Sequence, residues 1–83
     1  MFRVLILHSS PEKPQNIIFE AEASSVFLPG ADGEFEVLDF HKPIMSYLKE
    51  GTIVVDNFQE FPIRGGVVKM GGQKLIAIVE PET

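Results

Sequence analysis

The chain has no cysteine, no tryptophan, one tyrosine and two histidines in 83 residues. Without cysteine no disulfide can staple the fold, and no thiolate-rich zinc site can organise it. Its stability has to come from buried apolar surface, which is scarce in so short a chain. The lack of cysteine assigns no compartment; it only fails to indicate a secreted disulfide scaffold. Basic residues are also few: seven Lys and Arg stand against twelve Asp and Glu, a net charge of −5. They are scattered singly, so there is no cationic patch to hold a phosphate backbone or an anionic lipid surface. No apolar run approaches a membrane span. The run after Met1, Phe2 to Leu7, is too short for a secretory signal core and has no small-residue cleavage site behind it. These features predict a single soluble domain over residues 1–83 that stays where it is translated.

What is present is 45% hydrophobic and patterned mostly with period two. Residues 2–8 read as a strand, ended by Ser9-Ser10-Pro11-Glu12-Lys13-Pro14. Ile17 to Leu28 reads as two strand pieces with a bend or bulge at Ser24-Ser25. Ile17, Phe19, Ala21 and Ala23 share one face, and Glu20 and Glu22 the other. Pro29 to Gly33 is a turn by composition. In Glu34 to Leu38, Phe35 and Val37 point inward and the glutamates outward. Pro43 to Glu50 fits both a helical stripe (Ile44, Tyr47, Leu48) and a strand. It is too short for a stable lone helix, so it is read as a strand. Thr52 to Asp56 is a strand and Asn57-Phe58-Gln59 a turn. Pro62 confines Glu60 to Arg64 to an edge or a bulge. Val67 to Met70 and Gln73 to Glu80 form a hairpin around Gly71-Gly72. The apolar run Leu75 to Val79 predicts a strand buried on both faces. Eight or more short strands at this spacing specify an all-β sandwich or barrel.

Little in this pattern resembles catalytic chemistry. His8 and His41 lie on separate elements without ligand spacing. Ser9 and Ser10 adjoin His8, but no nucleophile elbow surrounds them. Asp32, Glu34 and Glu36 lack the calcium-loop pattern and read as a solvated strand face or a partner-facing edge. The pairs Gly65-Gly66 and Gly71-Gly72 lack the strand–loop–helix setting of a phosphate loop and read as turn glycines.

One sequence of motifs goes further. An apolar first strand (Val4 to Leu7) is followed by Ser10-Pro11-Glu12, an aromatic two-strand unit (Phe19 to Leu28) and Pro29-Gly30-Ala31-Asp32-Gly33-Glu34-Phe35. Then come His41-Lys42-Pro43-Ile44, Leu48 to Gly51, Gly65-Gly66 and a final hairpin from Val67 to Val79. In this order the chain resembles the N-terminal β-sandwich domain of the epsilon subunit of rotary F-type ATP synthases. The resemblance implies a sandwich or flattened barrel of about ten strands, with residues 43–50 as strand. It implies a non-catalytic rotor subunit of the central stalk, without cofactor. Such a subunit binds the gamma subunit and the membrane c-ring and couples proton flow to ATP synthesis. In a bacterium it would lie on the cytoplasmic face of the inner membrane. By the family motif, Ala31, Asp32, Gly33 and Glu34 face the c-ring, and Ser10 and His41 face gamma. The chain departs from the motif at Glu36, Asp39, Phe40 and Lys42, where the family carries glycine, proline, a small turn residue and alanine; this implies another loop shape before His41. It also stops where the sandwich ends, so the family's inhibitory C-terminal helical hairpin is either absent from the natural protein or cut from this sequence. The alternative is an unrelated β-sandwich binding module, which several exposed phenylalanines gathered in one cleft would favour.

Overall fold

The computed structural model describes residues 1–10, 16–40 and 42–82. Eight strands follow in chain order: β1 Phe2–His8, β2 Ile17–Ala23, β3 Ser25–Gly30, β4 Gly33–Leu38, β5 Ile44–Leu48, β6 Gly51–Val55, β7 Gln59–Gly71 and β8 Lys74–Pro81. The molecule is the expected all-β sandwich. Among the described residues it has eight strands instead of about ten, and β7 runs unbroken through thirteen residues where the sequence suggests two pieces. Its first half pairs with β6 (Val55↔Gln59 to Gly51↔Ile63) and its second with β5 (Leu48↔Gly66 to Ile44↔Met70). A register shift between Ile63 and Gly65 marks the corner, where a bulge lets one strand leave one layer and enter the next. Pro62 sits just before this corner, on a strand that continues past it.

One layer therefore reads β2-β1-β8-β7-β5, and the other reads β4-β3-β6 and the start of β7. The bend at Ser24 passes the chain between them. β1 and β8 are the parallel pair, from Arg3↔Lys74 to His8↔Val79; the remaining ladders are antiparallel. The core fills the space between the layers. Val4, Ile6, Leu75, Ala77, Val68 and Met70 from the first layer meet Val26, Leu28, Val37, Ile53 and Val55 from the second, all buried. Phe19 and Phe61 close one flank, their rings 5.0 Å apart and tilted. The edge strands β2 and β4 carry Glu20, Glu22, Glu34 and Glu36 outward, a common protection against strand-to-strand aggregation.

Three local readings change. Ile17 does not share the face of Phe19, because the register shifts at Ile6/Leu7 and sets Ile17 opposite Leu7 on the outer side. The final turn is centred on Gly72-Gln73, not Gly71-Gly72: Gly71 still pairs with Lys74, and Gly72 and Gln73 both have positive φ, as a two-residue hairpin of this kind requires. In β8 only one face is buried, since Ile76 is half-buried and Ile78 is 41% exposed.

The crossing of the layers is held at two points. Asp56 Oδ1 accepts hydrogen bonds from the backbone N–H groups of Ser24 (2.8 Å) and Ser25 (3.1 Å), tying the end of β6 to the β2–β3 bend. Gly66 lies so close to β8 that an added Cβ would stand 2.4 Å from the Ile78 carbonyl oxygen. Gly66→Ala should therefore destabilise the fold by about 2 kcal/mol or more, lowering the melting temperature by roughly 10 °C. Gly71→Ala, with open space around the added Cβ, should be neutral or stabilising by about 0.4–1 kcal/mol. Paired thermal melts check both, and equal losses would contradict the close-packing explanation.

Candidate docking surface

The apolar run in β8 requires its outward residues to be explained. Cross-strand register aligns them into two rows on the outside of the first layer. One row runs Leu7, Ile78, Val67, Tyr47 and the other Leu5, Ile76, Lys69, Met45. Ile17 extends the first row on β2. Tyr47 and Met45 are 76% and 74% exposed. Between the rows is a shallow groove of about 280 Å³, lined by Met45, Val67, Val68, Lys69, Ile76 and Ile78. A solvated antiparallel face alternates apolar-in with polar-out; here the outward positions of the two rows are apolar except at Lys69, and the charged Glu20, Arg3 and Lys74 border them. A contiguous exposed patch of this kind marks an interaction site. Sequence reasoning missed these residues as a site, although the unbroken run Leu75 to Val79 was the signal: its second buried face requires a partner.

The β3–β4 hairpin projects beside the β5 end of this face. Ala31, Asp32, Gly33 and Glu34 are all exposed. The tip is fixed to β5 by Ala31 N–H donating to the Tyr47 carbonyl and Lys49 N–H to the Pro29 carbonyl, both at 2.9 Å. Gly33 takes φ +136°, a conformation open to glycine. Asp32 and Glu34 are thus held out on a braced turn as a small acidic rim.

Ser10 and the segment around His41 are not brought together. Ser10 is half-buried just beyond His8, at the Val79 end of β8, and its N–H donates to His8 Nδ1 at 2.9 Å. That bond uses the lone pair a general base would need, so His8 is not placed to activate a serine hydroxyl. The Pro11 and Glu12 positions of the Ser-Pro-Glu motif, and His41 itself, lie outside the described residues. The neighbours of His41, Phe40 and Lys42, are exposed. Phe40 N–H donates to Gln73 Oε1 at 3.1 Å, which places this turn at the opposite end of β8 from Ser10. Ser10 and the Phe40 turn therefore lie at opposite ends of β8 instead of forming one cluster. Phe40 has φ +62°, which for a bulky side chain costs about 1–2 kcal/mol. Asp39 beside it lies 2.7 Å from the Met1 α-ammonium. Among the described residues no group of three or more His, Cys, Asp or Glu could hold a metal ion.

The exposed phenylalanines do not share a cleft. Phe27 is on the outside of β3, Phe40 follows β4, and Phe58 is on the β6–β7 turn. A second cavity of about 170 Å³ lies elsewhere, between Ile18 and the Phe61-Pro62-Ile63 stretch. Met45, 74% exposed, and Ile78, 41% exposed, bury little against the rest of the chain. Met45→Gln and Ile78→Thr should each change stability by less than about 1 kcal/mol. They should also reduce the binding of a hydrophobic dye to the isolated chain, and a large fall in melting temperature would show these side chains to be structural.

Comparison with known proteins agrees with this architecture. Residues 12–81 match the family model described as ATP synthase, Delta/Epsilon chain, beta-sandwich domain. The chain is 35% identical over 71 residues to the ATP synthase epsilon chain of Chlorobium limicola, covering 81% of each. It is 36% identical over 77 residues to that of Caulobacter vibrioides, covering 89% of this chain and 90% of that one. Among solved structures, a chain of the Tetrahymena thermophila mitochondrial ATP synthase central stalk/c-ring aligns with a TM-score of 0.74 at 11% identity. That alignment covers 94% of this chain and 62% of the other. At that identity the likeness concerns the fold alone, but the sequence matches extend over most of the chain. On these grounds the chain belongs to the ATP synthase delta/epsilon family, a family of non-catalytic subunits of that complex.

Proposed function

We propose that this epsilon-type chain works in the central stalk of a proton-translocating F-type ATP synthase, held between a gamma subunit and the membrane c-ring, and that it couples proton flow to ATP synthesis without catalysing either. The observation that carries this is the pairing of a broad apolar sheet face with a braced acidic hairpin tip beside it. Permanent interfaces are more apolar than transient ones, resembling a core cut in half. The outer face of β1, β8, β7 and β5 is such a half-core and suits gamma, with Ser10 beyond one end of β8; His41, the other position proposed to face gamma, lies outside the described residues. The tip Ala31-Asp32-Gly33-Glu34 is small, polar and rigid, which suits the polar loops of a c-ring. The subunit is then peripheral to the membrane, on the cytoplasmic face in a bacterium, and reaches it through the ring.

The test is co-purification with the gamma subunit of the same organism. Tyr47→Asp places a carboxylate at the β5 end of the first apolar row, opposite Val67, where docking would bury it unpaired, and should abolish co-purification while the melting temperature holds. Retained co-purification would mean that gamma sits elsewhere. Glu34→Gln should leave the fold unchanged, because an exposed carboxylate stabilises little. It should weaken association with the c-ring by about 1 kcal/mol or less, and more at low salt, where a rim charge is less screened. A large drop in melting temperature with unchanged ring association would make Glu34 a structural residue.

A further inference from the structure

The basic residues stand apart in the sequence, but sheet register gathers three of the seven at one corner of the first layer. Arg3 on β1 lies beside Lys74 on β8. Lys74 pairs with Gly71 on β7, and Lys69, two residues before Gly71, pairs with Ile76, two residues after Lys74. Residues two apart on a strand share a face. Lys69 and Lys74 are therefore diagonal neighbours on the outside of the sheet, a spacing that long side chains span. Arg3 has a partner, since its guanidinium lies 3.1 Å from Glu20 Oε2. The side chains of Lys69 and Lys74 make no ion pair or hydrogen bond among the described residues. Twelve Asp and Glu stand against seven Lys and Arg in this chain, so two neighbouring ammonium groups without a carboxylate are unexpected. Like charges side by side on a sheet also cost stability.

Between the two lysines is a notch of about 350 Å³, lined by Lys69, Gly71, Lys74 and Ile76. Its lining holds no carboxylate. Gly71 leaves the floor bare, with open space where a Cβ would stand. The frame is rigid: both lysines belong to one hairpin, and Arg3 N–H donates to the Gln73 carbonyl at its turn, at 2.9 Å. Lysine is a compact point charge that pairs well with phosphate oxygens. Two of them across an open, acid-free notch match an anion that carries charge at several points along its length. We propose that the Lys69–Lys74 notch binds a soluble polyphosphate anion. The headgroup of an anionic lipid offers the same chemistry, but the placement favours the soluble source. The Ala31–Glu34 tip is braced to the Tyr47 end of β5, and the notch lies at the other end, where Ile44 pairs with Met70. On the reading that the tip faces the c-ring, the notch points away from the membrane. Only this choice of source rests on that reading; the anion site itself does not depend on it.

The experiment titrates the full chain with inorganic phosphate, pyrophosphate and tripolyphosphate and follows the backbone amide chemical shifts. Sedimentation with phosphatidylglycerol vesicles is the lipid arm. Saturable shifts should appear at Lys69, Gly71 and Lys74, with affinity rising from phosphate to tripolyphosphate. Binding should weaken several-fold between ~50 and ~200 mM salt. Lys69→Gln and Lys74→Gln should each weaken tripolyphosphate binding by about tenfold, and the double variant should abolish it. The melting temperature of each should hold or rise, because a like-charge contact is removed. Lys49→Gln, an exposed lysine between β5 and β6, should leave binding unchanged. The absence of saturable shifts at these amides up to ~10 mM tripolyphosphate would overturn the site. An equal loss with Lys49→Gln would also overturn it, since binding would then follow bulk charge. Sedimentation with the vesicles, lost in the double variant and without tripolyphosphate binding, would overturn the soluble anion and show the tip-to-ring orientation to be wrong.

Discussion

The close approach of β7 to β8 at Gly66 is the contact on which the sandwich depends. β7 serves both layers, and it can do so only if it turns sharply after Ile63 and then lies tightly against β8. Gly66 meets that demand because its missing Cβ leaves room for the Ile78 carbonyl. From this corner the rest follows. β6 is carried into the second layer and β5 stays in the first, and β3 bridges both through Val26↔Val55 and Gly30↔Leu48. The second crossing, at Ser24, has no side chain filling the corner. Its two backbone N–H groups are satisfied instead by one carboxylate oxygen of Asp56. A charge-assisted acceptor is well suited to hold donors that would otherwise go unpaired at a bend.

The layers differ outside as sharply as they agree inside. On the second layer, Glu36, Phe27, Val54 and Glu60 align across β4, β3, β6 and β7, so each apolar residue there is flanked by a carboxylate. On the first layer two adjacent rows are apolar except at Lys69, and the charged Glu20, Arg3 and Lys74 stand at their border. A net charge of −5 carried mainly on the edges and the second layer keeps that side solvated and repels like copies. The apolar rows of the first layer carry no carboxylate beyond Glu20 at their border.

Most of the strands were legible because half-buried strands alternate, and β1, β4 and β6 alternate or are β-branched without ambiguity. The sequence misled where tertiary register overrode pattern. Ile17 moved to the outside through a bulge that no local signal announces. The Gly71-Gly72 pair suggested a turn between the glycines, but the hairpin needed two consecutive positive φ values and took Gly72 with Gln73. Pro62 and Gly65-Gly66 suggested an interruption, and they mark a corner within one strand. The candidate site was legible only in part. Composition and spacing located the hairpin tip, since glycine and acid at a turn point outward. The apolar docking face was hidden, because a run such as Leu75 to Val79 reads the same whether its second face is covered by the same chain or by another.

That ambiguity carries the main physical lesson of the molecule. A strand apolar on both faces reports the burial of the working state, not of the free chain. Here the inner face of β8 packs against the second layer, and its outer face opens to solvent through Ile76 and Ile78. Covering these rows adds apolar burial that an 83-residue chain cannot generate internally. The complex is then more stable than the isolated sandwich by the linkage of binding to folding. A chain built this way gives up some stability when free and is held more firmly wherever those rows are covered.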